Sequence, residues 1–360
     1  MVFVTVFTRF KNVHFLKDLG QIPYHLHRDH GYDSVIVTNR NDDSYDGLKN
    51  EVKGLKLHFI RGRGLMYVIR NAKKIDVLNV YHLNLQSFYL LLAFKLFKKR
   101  GAKAYLKLDM DDRGFYRLFM KNPVGWIKRR TIDLADLVSA ETKDIYRKLR
   151  RVYGAKMIFV TNGYYSPHAG QKRDFHKKNI VLTVGLLGTE PKATDLLIKA
   201  FVRAAGSRQD WTLRLVGPVD KDFSDPCPGD KRIVFEGEIR DRERLCEIYE
   251  EAGIFAFPSR HESFGIVMLE AADGGDYIIS TTGVPAARDI IGVTKEGCIV
   301  PADDVEALAA ALKKAMEDGS DRDERAAEIA DRISKAYSWE KIVDGLAGKL
   351  AAFRGQNPAL

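Results

Sequence analysis

Short apolar, β-branched runs alternate with helical patterns along the whole chain, and that alternation most restricts its fold. Strand-like runs fall at Val2–Phe7, Ser34–Thr38, Leu57–Phe59, Asp76–Val80, Lys103–Leu108, Leu137–Ala140 and Met157–Val160. A second set falls at Ile180–Val184, Trp211–Val216, Arg232–Phe235, Ile254–Phe257, Tyr277–Ser280 and Cys298–Val300. Strands alternating with helices predict α/β architecture with parallel sheets, because a parallel pair needs a crossover and a helix supplies it. Between the sets, Ser166–Lys178 is polar and basic and reads as a linker, just after an Asn162-Gly163 turn signal. At 360 residues the chain has room for two domains. The expected division is 1–165, a linker at 166–178, 179–338, and a last helix within 339–360. The first helix is expected over His14–Gly31, with a kink or break at Pro23.

Charge separates the halves. The chain carries +10 overall, of which residues 1–178 hold about +19 and the remainder about −9. A basic half implies an anionic partner. No RNP-type, helix-turn-helix or zinc-finger pattern accompanies it, so nucleic acid is not the expected one. Cys227, Cys246 and Cys298 are few and scattered, which predicts a reducing compartment without disulfides or a zinc site. Met1–Phe7 enters a strand-like run directly and lacks the basic n-region of a signal peptide. The longest apolar stretch, Phe88–Phe97, is interrupted by Lys95 and too short to span a bilayer. A cytoplasmic protein is expected, monomeric by default. Leu118–Lys121 and Trp126–Arg130 interleave apolar and basic residues, and Lys98–Arg100 and Arg147–Arg151 add bases. Such segments can rest on an anionic membrane surface.

The richest stretch is Pro258–Glu270, P-S-R-H-E-S-F-G-I-V-M-L-E, directly after the strand Ile254–Phe257. Ser263 is a candidate N-cap for a helix from about Phe264 to Ala272. Glu262 then sits in the turn and Glu270 two turns along, about 12 Å away by helical rise. That approaches the distance between the sugar and the ribose of a nucleotide-diphosphate sugar. Each carboxylate can accept hydrogen bonds from two hydroxyls, and free N–H groups near Gly265 suit a diphosphate.

This stretch, with Thr281-Thr282-Gly283-Val284-Pro285 downstream, resembles the E-x7-E signature of retaining glycosyltransferases of family 4. Gly185-Leu186-Leu187-Gly188-Thr189-Glu190-Pro191-Lys192 resembles the family's G-R-L…K element, with Lys192 in place but Leu186 where Arg is usual. Thr161-Asn162-Gly163-Tyr164 is similar to the element closing the family's first domain. The resemblance is dense over 155–345 and looser over 1–155. It implies the GT-B fold: two Rossmann-like domains with parallel sheets facing across a cleft, donor on the second and acceptor on the first, the last helix crossing back to the first. It implies a nucleotide-diphosphate sugar, UDP- or GDP-linked, as donor, a glycan or lipid-linked acceptor, and neither cofactor nor metal. Donor contacts are expected from Gly185, Lys192, Glu238, Glu262, Ser263, Phe264, Gly265, Ile266, Val267 and Glu270. Glu262 and Lys192 take catalytic roles.

In the first half, Thr8–Asp18 replaces the family's glycine-rich turn and puts Arg9, Lys11, His14 and Lys17 at a strand end, as acceptor-side candidates. His82 follows the fourth strand and Asp109 the fifth, both candidate catalytic residues. Asp109-Met110-Asp111-Asp112 contains D-x-D spacings that resemble a metal–diphosphate site, but its position matches the family's acceptor side, so no metal is expected. Two functions remain open: a glycosyltransferase of polysaccharide or glycolipid assembly, or a non-catalytic glycosyltransferase-like partner subunit, which Leu186 favours.

Overall fold

The computed structural model describes residues 1–41, 44–168, 171, 173–318 and 321–355. Residues 169, 170 and 172 of the expected linker, and 356–360 of the expected last helix, lie outside that set. The chain forms two compact units, Met1–Tyr165 with Trp339 onwards, and Ser166–Ser338.

The first unit contains β1 (Val2–Val6), β2 (Asp33–Asn39), β3 (Lys56–Ile60), β4 (Val77–Tyr81), β5 (Lys103–Lys107), β6 (Leu137–Ala140) and β7 (Met157–Phe159). They make one parallel sheet in the order β3-β2-β1-β4-β5-β6-β7. The second contains β8 (Lys178–Val184), β9 (Thr212–Val216), β10 (Ile233–Gly237), β11 (Ala252–Phe257), β12 (Tyr277–Thr281) and β13 (Gly297–Val300), also parallel, in the order β10-β9-β8-β11-β12-β13. Every residue of the central strands β4 and β11 is buried. A strand covered by helices on both faces must be apolar throughout, which is why these runs do not alternate in sequence.

Strand order reverses between β1 and β4 in one sheet and between β8 and β11 in the other. Crossovers leave such a point on opposite faces, opening a crevice at the carboxyl ends of the strands where ligands bind. One face of the first sheet is closed by Trp339, Val343, Leu346 and Leu350 of the helix Trp339–Gly355, packed with Phe3, Ile22, Leu26 and Tyr105. That helix therefore folds with residues 1–165 although it follows the second unit in sequence.

Two local expectations are corrected. The segment after β1 is a 3-10 turn, Asn12–Leu16, followed by an α-helix, Asp18–His30, that runs through Pro23. The break falls at Lys17, whose backbone is extended. The helix after β11 begins only at Val267, so Ser263 is not its N-cap; Ile266 holds that position without a side-chain cap. Gly265 has φ +80°, a left-handed conformation that interrupts a helix, so Glu270 lies in the first turn.

Candidate functional site

At the β8–β11 reversal, Gly185 follows β8 and Glu262 follows β11. The loop Glu190–Lys192 is pinned to the β11 end by Arg260, whose N–H donates to Pro191 O at 2.9 Å and whose guanidinium reaches Glu190 O and Asp303 at 2.5 Å. This strap brings Lys192 onto Glu262 as an ion pair, with the ammonium 4.9 Å from the centre of the Phe257 ring. Both side chains remain about a quarter exposed, at 27% and 25%. Glu262 is held from below as well: its N–H donates to Gly283 O at 3.1 Å. A Cβ on Gly283 would lie 2.1 Å from Arg260 O, so the Thr281–Pro285 loop can approach this closely only with glycine there.

Glu270 is anchored differently. Arg242 donates to Oε1 at 3.0 Å and the Tyr249 hydroxyl to Oε2 at 3.1 Å. Each oxygen keeps a second lone pair, so the pinned carboxylate can still accept two hydroxyls. Between the two glutamates, Phe264 is buried while Ser263, Gly265, Ile266 and Val267 are half-buried. Glu238 stands apart beyond β10, exposed and paired with Arg240 at 2.9 Å. Leu186, where the resemblance places an Arg, is 47% exposed.

In the first unit, a cavity of about 610 Å³ opens at the β1–β4 reversal, lined by Arg9, Arg63, Tyr81, His82, Asn84 and Gln86 among others. His82 holds a left-handed backbone, φ +65°, with its N–H donating to Lys107 O at 3.2 Å. A non-glycine residue in this conformation is strained, and the neighbouring strand must hold it there. His14 is not on this lining: its Nδ1 accepts from the Lys11 N–H at 2.8 Å and its ring packs on Phe7 and Phe10. Burial lowers its pKa, with Lys17 acting in the same direction. Lys11 and Lys17 are exposed and also off the lining.

Asp109, exposed past the end of β5, meets a buried network that sequence reading missed. Lys107 has no exposed surface; its ammonium lies 3.0 Å from Asp18 and 3.5 Å from Glu141, and donates to Asn162 at 2.9 Å. Asn162 in turn donates to Glu141 at 2.7 Å. Burial pushes the Glu141 carboxyl well up, Lys107 opposes this, and Asp109 adds to it. Burial works against the Lys107 charge, but Asp18 and Glu141 outweigh it and the side chain stays cationic. The signal was a lysine inside an apolar parallel strand, a position where charge persists only if paired. Among the described residues no three His, Cys, Asp or Glu side chains are gathered as metal ligands, and no helix is long and apolar enough to cross a membrane.

Residues 168–333 match the family of glycosyl transferases group 1. Similar curated proteins include a D-inositol 3-phosphate glycosyltransferase of Corynebacterium urealyticum, 38% identical over 30% of this chain and 25% of that protein. Its counterpart in Mycobacteroides abscessus is 28% identical over 61% of this chain and 52% of its own. This chain thus spans between a quarter and about half of the length of these relatives. Among solved structures, Anabaena HepE in complex with UDP superposes with a TM-score of 0.71 at 15% identity, over 98% of this chain and 100% of that one. WaaG, a glycosyltransferase involved in lipopolysaccharide biosynthesis, gives 0.64 at 14% identity, over 97% and 99%. In fold the chain is a GT-B protein, and residues 168–333, which make up most of its second unit, are similar to the glycosyl transferases group 1.

Proposed function

We propose that this protein is a retaining glycosyltransferase that moves a sugar from a UDP- or GDP-linked donor to a glycan or lipid-linked acceptor. The observation that carries the proposal is the Lys192–Glu262 ion pair at the β8–β11 reversal, within the matched family region. A donor diphosphate competes with Glu262 for the Lys192 cation. Capturing the cation frees Glu262 to accept hydroxyls of the transferred sugar, while Lys192 neutralises the charge that grows on the leaving diphosphate. Glu270, fixed by Arg242 and Tyr249, takes the ribose hydroxyls. No step requires a metal. Front-face displacement leaves the acceptor proton to the departing diphosphate, so the protein supplies position and electrostatics.

Calorimetry with UDP and GDP tests the donor assignment. Glu270→Ala weakens binding of the preferred nucleotide by about 1.5–3 kcal/mol, the worth of hydrogen bonds to a charged group. Glu262→Ala leaves nucleotide affinity near wild type and lowers turnover. Unchanged affinity in Glu270→Ala would remove the ribose assignment. The partner-subunit reading draws on Leu186, an exposed apolar side chain where a phosphate-binding cation is expected. It predicts nucleotide binding without any turnover.

The proposed location is the inner face of a membrane, as a peripheral protein. The helices Leu85–Phe97, Asp112–Leu118 and Pro123–Leu134 pack together and leave Tyr89, Tyr116, Phe119, Met120, Val124 and Trp126 exposed, Tyr116 by 70% and Trp126 by 50%. Arg129 is not free for lipid, since it donates to Leu118 O at 2.7 Å. The Arg130 guanidinium lies 5.8 Å from the centre of the Trp126 ring.

A further inference from the structure

The cavity beside Arg9 and His82 has a basic neighbour that the chemistry proposed above leaves unused. A space of about 630 Å³ is lined by His58, Arg61, Arg63, Tyr67, Arg70 and Asn71, and Arg63 lines both cavities. The loop Arg61–Gly64 joins β3 to the helix Leu65–Asn71 at the carboxyl edge of the sheet. It is tightly built. Gly62 and Gly64 have φ of +89° and +81°, and a Cβ on Gly64 would lie 2.8 Å from Val6 Cγ1. The Gln86 amide donates to Arg63 O at 3.0 Å and to the Thr8 hydroxyl at 3.4 Å, fixing the loop backbone while the Arg63 side chain stays exposed.

Among the described residues Arg61, Arg63 and Arg70 make no ion pair, whereas Arg214, Arg242 and Arg260 in the second unit are all paired. The sequence from 52 to 75 contains no Asp or Glu. Three guanidinium groups around one concavity, without an ion pair among the described residues, concentrate positive potential, and their planar forks fit the oxygens of a phosphate two at a time.

We propose that this space seats the phosphate of a phosphorylated acceptor, with the hydroxyl-bearing part of that acceptor in the cavity beside Arg9 and His82. The inference rests on the glycosyltransferase reading and adds the acceptor's chemical class. The phosphate belongs either to a soluble sugar phosphate or to a lipid headgroup, and both are recognised by the same three side chains.

The test uses the full chain with Arg61, Arg63 and Arg70 all changed to Ala, and Arg63→Lys as the conservative variant. Calorimetry compares a hexose 1-phosphate with the free hexose. Co-sedimentation compares phosphatidylcholine vesicles with and without phosphatidic acid. At least one phosphate probe binds wild type, its phosphate-free counterpart does not, and the triple variant loses at least about tenfold in affinity. Arg63→Lys falls between, since it keeps the charge and loses the fork. Lys192→Ala leaves this binding intact, which separates it from occupancy of the donor site. Which probe responds identifies the source of the phosphate. Binding by neither probe, equal binding by the triple variant, or loss in Lys192→Ala in place of the triple variant overturns the proposal. UDP and GDP binding, retained by the triple variant, judges the donor reading separately.

Discussion

Glu262 and Glu270 are the same side chain eight positions apart, and their partners give them different work. Glu262 is ion-paired with Lys192, which in the proposed reaction passes to a diphosphate; Glu270 is held still by the half-buried Arg242 and the Tyr249 hydroxyl. The pair is legible in sequence because strand, turn and helix put both residues on one local element. Arg242 and Tyr249 were not legible, since sheet topology alone brings the preceding helix, Arg242–Glu251, alongside. Lys107, Glu141 and Asn162 were hidden for the same reason, since each lies at or just beyond the end of a different strand of one sheet. Titration at this scale gives a prediction. Burial lowers the pKa of His25, outweighing Asp29, 2.7 Å from its Nδ1, while Arg28 lowers it further and Glu340 raises it. His14 is lowered by burial too. A folded-state pKa below the unfolded value of about 6.5 means that stability is held above that pH and lost as pH falls through it, because the unfolded chain takes up the protons first. Denaturant unfolding from pH 7.5 down to 5 shows this decline, and His25→Gln makes it shallower. An unchanged slope in His25→Gln would remove His25 from the account.

At the scale of elements, both reversals of strand order sit beside the residues singled out by chemistry, Arg9 and His82 at one and Gly185 and Glu262 at the other. Strand positions could be read from apolar runs because parallel strands are buried on both faces. The start of the helix after β11 could not: Ser-Phe-Gly imitates a cap, and only the left-handed Gly265 shows where the helix begins. Glycine matters unequally here. A Cβ at Gly265 would meet the Phe257 ring at 2.7 Å, a side chain that can turn aside, although the positive φ adds strain. A Cβ at Gly283 would meet the Arg260 carbonyl at 2.1 Å, and backbone must move. Gly283→Ala therefore lowers stability more than Gly265→Ala, which costs about 1–3 kcal/mol. Thermal unfolding of the two variants measures it, and the reverse order would contradict the role given to the Thr281–Pro285 loop.

For the whole molecule, the uneven charge and the exposed aromatic face of the first unit converge on one prediction. Anionic vesicles retain the protein at low salt and release it as salt rises, since each exposed base contributes about 1 kcal/mol within a Debye length of the surface. Trp126→Ala combined with Lys121→Gln and Lys128→Gln weakens retention, while Arg129, tied to Leu118 O, is left in place to preserve the fold. Retention equal to wild type in that variant would turn the basic half towards an anionic glycan in solution. The proposed reaction is a retaining transfer from a nucleotide sugar. It is tested most directly by following UDP- and GDP-linked sugars by proton NMR as the protein hydrolyses them in excess EDTA. At least one donor is consumed, the sugar first released keeps the donor's anomeric configuration, and Glu262→Ala slows its release. Release of the opposite anomer, a requirement for added metal, or no consumption of any donor would contradict the proposed reaction.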